Sequence, residues 1–175
     1  MNGLFERYVG AVLMRAAAGW GVQVREQERH ALDVRGEVPL RPDVLLYARG
    51  NPLLIVDAKY KLEAAQADLY QMLAYCHALG LSQAVLVHPL SEQAPSGSVA
   101  IRGPGDVRVH YLALELRGGP AVLEANGQSL ACKVEALLDS LVHDRHAVAD
   151  VLDDAQVVRH KEVGQVELAL QSRRQ

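Results

Sequence analysis

Three residues with charged side chains lie at the ends of two apolar segments of the chain. Asp43 opens the segment DVLLYA, and Asp57 and Lys59 close the segment LLIVDAKY. Side chains alternate between the two faces of an extended strand, so Asp57 and Lys59 point to one face while Ala58 points to the other. If the two segments pair as a hairpin, Asp43 can reach the same face. The spacing therefore predicts two carboxylates and one ammonium group in a single cluster.

This set of groups suits hydrolysis of a phosphodiester bond with the help of a divalent metal ion. Two neighbouring carboxylates both stay ionised only when a cation lies between them. Mg²⁺ prefers oxygen ligands and keeps several waters, and we expect Mn²⁺ to substitute for it. The backbone carbonyl of Ala58 is a further candidate ligand beside Asp43 and Asp57. Lys59 would stay charged and orient or stabilise the attacking water.

An alternative interpretation of Asp57 and Lys59 is that they are exposed residues of an edge strand, which is the commoner fate of charged residues in strands. Here, however, Asp57 directly follows an apolar run, where a carboxylate without a role is costly to bury. A predicted helix then follows, with three polar residues on one stripe: Asp68, Gln71 and Tyr75. Together these features favour the catalytic interpretation.

Apolar periodicity predicts the elements that must position these groups. The predicted helices cover 4–17, 64–79 and 129–143, and the predicted strands cover 22–29, 43–48, 53–60, 83–88, 98–102 and 107–114. The order α-β-β-β-α-β predicts an α/β fold with a mixed central sheet flanked by helices, followed by a C-terminal β-hairpin and helix. We expect one domain over 1–175, with a core at about 4–88 and an extension at 98–175.

Composition narrows the class of protein. The chain has 175 residues, a net charge of −3 and two isolated cysteines, so a disulfide framework or a zinc site is not expected. No apolar run approaches the roughly 20 residues that span a bilayer, and the N-terminus does not resemble a signal peptide. We therefore expect a cytoplasmic protein with no membrane segment and only modest DNA binding of its own. The isolated histidines are interpreted as structural: His77, His88 and His110.

Three sequence blocks, RPDVLL, IVDAKYK and DLYQMLAY, preceded by LFERYV in the first helix, resemble the C-terminal nuclease domain of the McrC family. McrC is the cleavage subunit of modification-dependent restriction systems that recognise methylated cytosine. The resemblance covers roughly residues 4–88. It implies a restriction-endonuclease-like PD-(D/E)xK core that cleaves DNA with Mg²⁺, in which Asp43 and Asp57 bind the metal and Lys59 is the catalytic lysine.

The resemblance also implies supporting roles for residues on the two helices. Glu6 looks like the family's first-helix acid, a catalytic residue and metal ligand, although a surface glutamate near a helix N-terminus is an alternative. Gln71 and Tyr75 lie four residues apart on one helix face and resemble the catalytic QxxxY element of RecB-like nucleases. A border glutamine and a partly buried tyrosine are the alternative. Two basic residues are candidate DNA contacts, with solvated surface residues as the alternative: Arg41 and Lys61.

A McrBC-like system of phage defence implies DNA and an AAA+ GTPase motor of the McrB type as partners. McrC-family proteins usually carry an additional N-terminal region that docks onto the motor, whereas this chain starts close to the nuclease's first helix, so the motor partnership stays open. Double-strand cleavage needs two sites, and we expect a homodimer or two copies on DNA. Three alternatives remain: a stand-alone repair or junction nuclease of the same fold, a non-catalytic DNA-clamping or assembly subunit, and a generic α/β domain with no nucleic-acid role.

Overall fold

A computed structural model of the chain describes residues 2–61, 65–103 and 105–143. The helices are α1 (Asn2–Ala17), α2 (Gln66–Leu79) and α3 (120–143), and the strands are β1 (Gln23–Glu26), β2 (His30–Ala31), β3 (Pro39–Leu40), β4 (Val44–Ala48), β5 (Asn51–Ala58), β6 (Gln83–Pro89), β7 (Gly97–Ile101) and β8 (Val107–Leu114). Among these described residues, no helix is long and apolar enough to span a membrane.

Contacts between residues divide the chain into two compact units, Met1–Ala136 and Leu137–Gln175. The first unit contains all the strands of the described residues, together with the candidate site. Most of the second unit lies outside the described residues, as does most of the C-terminal half of the predicted extension at 98–175. The expectation of one domain over 1–175 therefore stays a prediction.

Six strands form one mixed sheet in the order β1-β4-β5-β6-β8-β7. The pairs β1/β4, β4/β5 and β7/β8 are antiparallel, whereas β5/β6 and β6/β8 are parallel. Strands β2 and β3 pair separately, between the predicted strands at 22–29 and 43–48, where no strand is predicted. The prediction of an α/β fold with a mixed central sheet and flanking helices is confirmed.

Strand β5 lies in the interior of the sheet, and a helix covers each of its faces. Ile55 packs in one apolar cluster with Met72 and Cys76 of α2. Helix α1 also contacts β5, but its buried residues Val9 and Leu13 are not part of that cluster. Since side chains alternate along a strand, α1 covers the opposite face. This two-sided burial explains why the run before Asp57 is apolar without alternation.

A tight turn joins β4 to β5 and fixes the register of the hairpin. Arg49 and Gly50 both have positive φ, 51° and 81°, and Ala48 pairs with Asn51 across the turn. Two consecutive residues with positive φ are typical of a type I′ turn, whose twist matches the flanking strands. The resulting register places Val44 opposite Val56, so that Asp43 lies at the end of the hairpin where β5 reaches Asp57.

Three predicted boundaries are wrong for identifiable local reasons. β1 is shorter than the predicted strand at 22–29, because the backbone leaves the extended region at Gln27, where φ is 52°. β5 begins at Asn51 rather than 53, because the turn before it contains only two residues. α3 begins at residue 120 rather than 129. Pro120 suits the first turn of a helix, but the residues after it lack a clear apolar stripe.

Candidate active site

Asp57 and Lys59 lie together at the C-terminal end of β5. Asp57 is on the same face as Ile55, towards α2, and its side chain is only 1% exposed. The ammonium nitrogen Nζ of Lys59 lies 2.5 Å from Oδ2 of Asp57. The backbone N–H of Lys59 donates to the carbonyl of Val87 on β6 at 2.8 Å, which extends the parallel pairing past the end of β5. The alternation of the strand thus brings the two charged groups together, as the sequence predicts.

Asp43 reaches the same end of the hairpin and is held there by two donors. Its Oδ2 accepts the backbone N–H of Ala58 at 2.9 Å, and its Oδ1 accepts Nε2 of Gln27 at 2.7 Å. The backbone N–H of Gln27 also donates to the carbonyl of Asp43, at 3.0 Å. Gln27 was not among the predicted site residues. Its contact depends on the pairing of β1 with β4 and on the turn of the backbone after β1, neither of which spacing reveals.

The electrostatics of the cluster favour a bound cation. Burial raises the pKa of Asp57 to about 6, and the nearby charge of Asp43 adds to this rise, while Lys59 opposes it. Burial alone would lower the pKa of Lys59, but the charges of Asp57 and Asp43 outweigh it and the net shift is upward. The lysine therefore stays an ammonium group, and one ammonium does not fully balance the two carboxylates.

The donor set fits a hard divalent cation such as Mg²⁺. Oδ2 of Asp57 is buried and receives no well-formed hydrogen bond from the described residues, even though Lys59 lies close to it. Carboxylate oxygens with unused acceptor capacity are the ligands that Mg²⁺ prefers. No group of three or more His, Cys, Asp or Glu residues that could hold a metal occurs among the described residues. If Mg²⁺ binds here, Asp43 and Asp57 are the carboxylates that would hold it, together with waters and a backbone carbonyl.

Glu6 lies on the first turns of α1 and is half-buried. The ring of its neighbour Phe5 makes an edge contact with Tyr60, at a centroid distance of 5.7 Å, so this part of α1 is near the residue that follows Lys59. Within the described part of the chain, however, the Glu6 side chain makes no hydrogen bond or ion pair. It does not form a three-acid group with Asp43 and Asp57 either. Its role as a metal ligand stays a prediction.

Gln71 and Tyr75 form a connected pair on α2 that reaches the segment before Asp43. Nε2 of Gln71 donates to the hydroxyl of Tyr75 at 2.7 Å, and that hydroxyl donates to the carbonyl of Arg41 at 3.2 Å. Burial raises the pKa of Tyr75, and the charge of Asp57 adds to the rise, which indicates that the phenol lies close to the carboxylate cluster. The pair therefore supports the backbone that presents Asp43.

The two candidate DNA contacts are both exposed, and each side chain is already engaged. Nζ of Lys61 lies 2.8 and 2.7 Å from the two carboxylate oxygens of Asp68, a buried residue of α2. Nε of Arg41 donates to the backbone carbonyl of Gln27 at 3.1 Å. Contact with DNA stays a prediction for both.

Comparison with known proteins identifies the family. Residues 1–89 match the family model described as "McrBC 5-methylcytosine restriction system component". The fold is similar to a chain in the structure described as a refined half-complex from the tetradecameric assembly of Thermococcus gammatolerans McrB AAA+ hexamers with bound McrC, with a TM-score of 0.59 and 14% sequence identity. That match covers 77% of this chain and 33% of the other, so this chain spans about a third of that neighbour's length.

No curated protein matches the sequence. At 14% identity the structural likeness shows the fold alone, whereas the family model covers just over half of the residues and includes Asp43, Asp57 and Lys59. The chain therefore belongs to the family of McrBC 5-methylcytosine restriction system components, and the resemblance to McrC is confirmed.

Proposed function

We propose that this chain is a Mg²⁺-dependent DNA endonuclease domain of the PD-(D/E)xK type that hydrolyses phosphodiester bonds in a McrBC-like, modification-dependent restriction system. The observation that supports this most strongly is the buried Asp57, which pairs with Lys59 and lies beside Asp43 at the end of a central hairpin. A protein has little reason to bury such a group for stability alone. Family membership supports the restriction system as its setting.

In this proposal Asp43, Asp57 and the carbonyl of Ala58 hold Mg²⁺. The ion, when bound, polarises the phosphate and makes a coordinated water more acidic. Lys59 keeps its proton, because two carboxylates surround it, and its ammonium group orients the attacking water and offsets charge that develops on the phosphate. Tyr75 holds the backbone of Arg41, so that Asp43 keeps its position when the metal site is loaded.

Partners follow from the same proposal. The structural neighbour is an assembly of McrB AAA+ hexamers with bound McrC, and by family membership we propose an AAA+ GTPase of the McrB type as a partner of this chain. DNA in the cytoplasm would be the substrate. Cutting both strands requires two copies of the site, supplied by a homodimer or by two molecules on DNA. Co-purification of the chain with a McrB-type GTPase tests the first partnership.

Nicking of a supercoiled plasmid in Mg²⁺, in Mn²⁺ and in excess chelator tests the activity. We expect cleavage only with metal, and a loss of about 10²- to 10³-fold in rate for Asp57→Asn and for Lys59→Ala. Asp106→Asn and Lys133→Ala change exposed residues of the same types and should cleave at the wild-type rate. Equal losses in all four variants would refute the assignment of the site.

Cleavage assays with different DNA substrates, with and without the GTPase, distinguish the alternative functions. A preference for branched over linear methylated DNA would indicate a repair or junction nuclease instead. Wild-type protein that binds DNA but never nicks it, alone or with the GTPase, would identify a non-catalytic clamping or assembly subunit.

A further inference from the structure

A second group of buried polar side chains lies beside the candidate active site, and the proposed chemistry does not use it. His88 is near the end of β6, the strand parallel to β5, and it is only 5% exposed. Its Nδ1 lies 3.3 Å from the carbonyl of Pro89. Its other ring nitrogen, Nε2, is buried and has no hydrogen-bond partner among the described residues.

An unpartnered buried nitrogen requires an explanation. Leaving a buried polar atom without a hydrogen bond costs about 1–3 kcal/mol, and such atoms are rare in native proteins. A carbonyl oxygen can only accept, so the contact of Nδ1 with the Pro89 carbonyl favours the tautomer that carries its proton on Nδ1. Nε2 is then an acceptor, and it needs an O–H or N–H group that points towards it.

A small cavity lies against His88 and reaches the candidate catalytic lysine. Its volume is about 10 Å³, and its lining combines apolar and polar residues: Lys59, Lys61, Asp68, Leu86, Val87, His88 and Tyr111. One water needs roughly 10–15 Å³ of such space together with two to four polar partners. The volume of the cavity is at the lower limit of that range, and polar side chains line it. Asp68 already accepts from Lys61 and from the backbone N–H of Ala65, and its carboxylate has no donor to offer, whereas a water in the cavity can donate to His88.

We propose that one ordered water occupies this cavity, donates a hydrogen bond to Nε2 of His88 and accepts one from the ammonium group of Lys59. His88 is then a positioning residue for Lys59. The water site stands independently of the nuclease activity, but its catalytic consequence rests on the proposed function.

The geometry explains why Lys59 needs such a partner. Lys59 lies just past the end of β5, where its N–H bond to the carbonyl of Val87 continues the pairing with β6. A lysine side chain loses considerable rotamer freedom when it is fixed. With the ammonium group held beside Asp57 by their ion pair and one N–H bonded to the water, the remaining N–H groups have a restricted direction, towards the attacking water or the phosphate. The end of β6 would thus hold Lys59 through the backbone of Val87 and the side chain of His88.

A high-resolution crystal structure of the whole chain, without metal, tests the water site directly. We expect a water about 3 Å from both Nε2 of His88 and Nζ of Lys59. In the His88→Leu variant this water should be absent or displaced. A dry cavity in the wild-type protein, or a protein donor bonded to Nε2, would overturn the inference whether or not the protein cleaves DNA.

Kinetics of His88→Leu and His88→Gln test the positioning role. Glutamine can place its Oε1 acceptor close to the position of Nε2, whereas leucine cannot accept a hydrogen bond. We expect kcat to fall about tenfold in His88→Leu with DNA affinity unchanged, and to recover to within about threefold of wild type in His88→Gln. Thermal unfolding of both variants checks that they fold.

Two kinetic outcomes would overturn the positioning role: wild-type kcat in His88→Leu, or equal losses in both folded variants. A wild-type protein that never cleaves DNA would refute the proposed function, and the crystal structure alone would then decide the water site.

Discussion

Two hairpins of one sheet place their charged residues in opposite environments. The hairpin β4–β5 lies inside the sheet, and β5 is buried from Leu53 to Ala58, including the carboxylate of Asp57. The hairpin β7–β8 ends the sheet at the other side, and β7 has no buried residue. Its charged residues Asp106 and Arg108 are exposed.

Position in the sheet explains this contrast. Exposed charges next to an edge strand cost little stability and discourage pairing with other chains. A charge at the end of an interior strand loses its hydration and lowers stability unless partners compensate. The compensation around Asp57 is incomplete, because its pKa rises to about 6 even with Lys59 beside it. The burial of this carboxylate is therefore better explained by chemistry than by stability.

Truncation of one apolar residue in each hairpin should give the largest difference in the free energy of unfolding between the two hairpins. Ile55 is fully buried in β5, whereas Val99 on β7 is 39% exposed. We expect Ile55→Ala to lower the free energy of unfolding by about 3–4 kcal/mol and Val99→Ala by less than about 1 kcal/mol, since only the first leaves a cavity. Urea unfolding of both variants measures this, and similar losses would contradict the assignment of β5 to the interior.

Replacement of the buried carboxylate should stabilise the metal-free protein. The rise of the Asp57 pKa from 3.8 to about 6 corresponds to about 3 kcal/mol against the ionised native state. Asp57→Asn removes that penalty but leaves Lys59 without its partner, so we expect a net gain of about 2 kcal/mol at about pH 8. Urea unfolding in chelator measures the gain, and the exposed Asp106→Asn should give none.

The pH dependence of that gain has a defined direction. The native carboxyl of Asp57 holds its proton more tightly than the unfolded one, so from about pH 4 to pH 6 the native state binds more protons. The contribution of Asp57 to the free energy of unfolding should therefore fall as pH rises through this window and level off above it. The advantage of Asp57→Asn should vanish below about pH 4. An advantage that is independent of pH would rule out the carboxylate as its cause.

The sequence predicts the features that depend on backbone period. Alternation alone brings Asp57 and Lys59 to one face, because a strand has a fixed two-residue repeat. The unbroken apolar run before Asp57 predicts an interior strand, and β5 is one.

Features that depend on the pairing of segments far apart in the chain cannot be predicted from the sequence. Gln27 contacts Asp43 only because β1 pairs with β4 and the chain then turns through a positive φ. His88, which the sequence presents as an isolated structural histidine, lies beside Lys59 because β6 runs parallel to β5 across a helical connection. No local pattern specifies either juxtaposition.

Metal binding should depend on pH at the buried hairpin end. Protons and the cation compete for the carboxylate of Asp57, whose pKa is about 6 without metal. Isothermal titration with Mn²⁺ should therefore show affinity that weakens about tenfold for each pH unit below about 6, with a plateau above it. Asp106→Asn should leave the whole profile unchanged, whereas Asp57→Asn should abolish binding. Affinity that is constant from about pH 5 to pH 8 would exclude Asp57 as a ligand.

Two Gln–Tyr pairs on α2 allow the most closely matched comparison between a buried and an exposed residue. The expected effect on stability is the smallest of those predicted. Gln71 donates to Tyr75 at 2.7 Å, and Gln66 donates to Tyr70 at the same distance, but Tyr75 is buried beside the β4–β5 hairpin while Tyr70 is 61% exposed. We expect Tyr75→Phe to lower the free energy of unfolding by about 1 kcal/mol, because it leaves the carbonyl of Arg41 without its donor, and Tyr70→Phe to change it by a few tenths at most. If the bond to Arg41 also steadies Asp43, plasmid cleavage should slow in Tyr75→Phe alone. Equal effects in the two variants would mean that the pair is an ordinary feature of the helix and has no connection with the site.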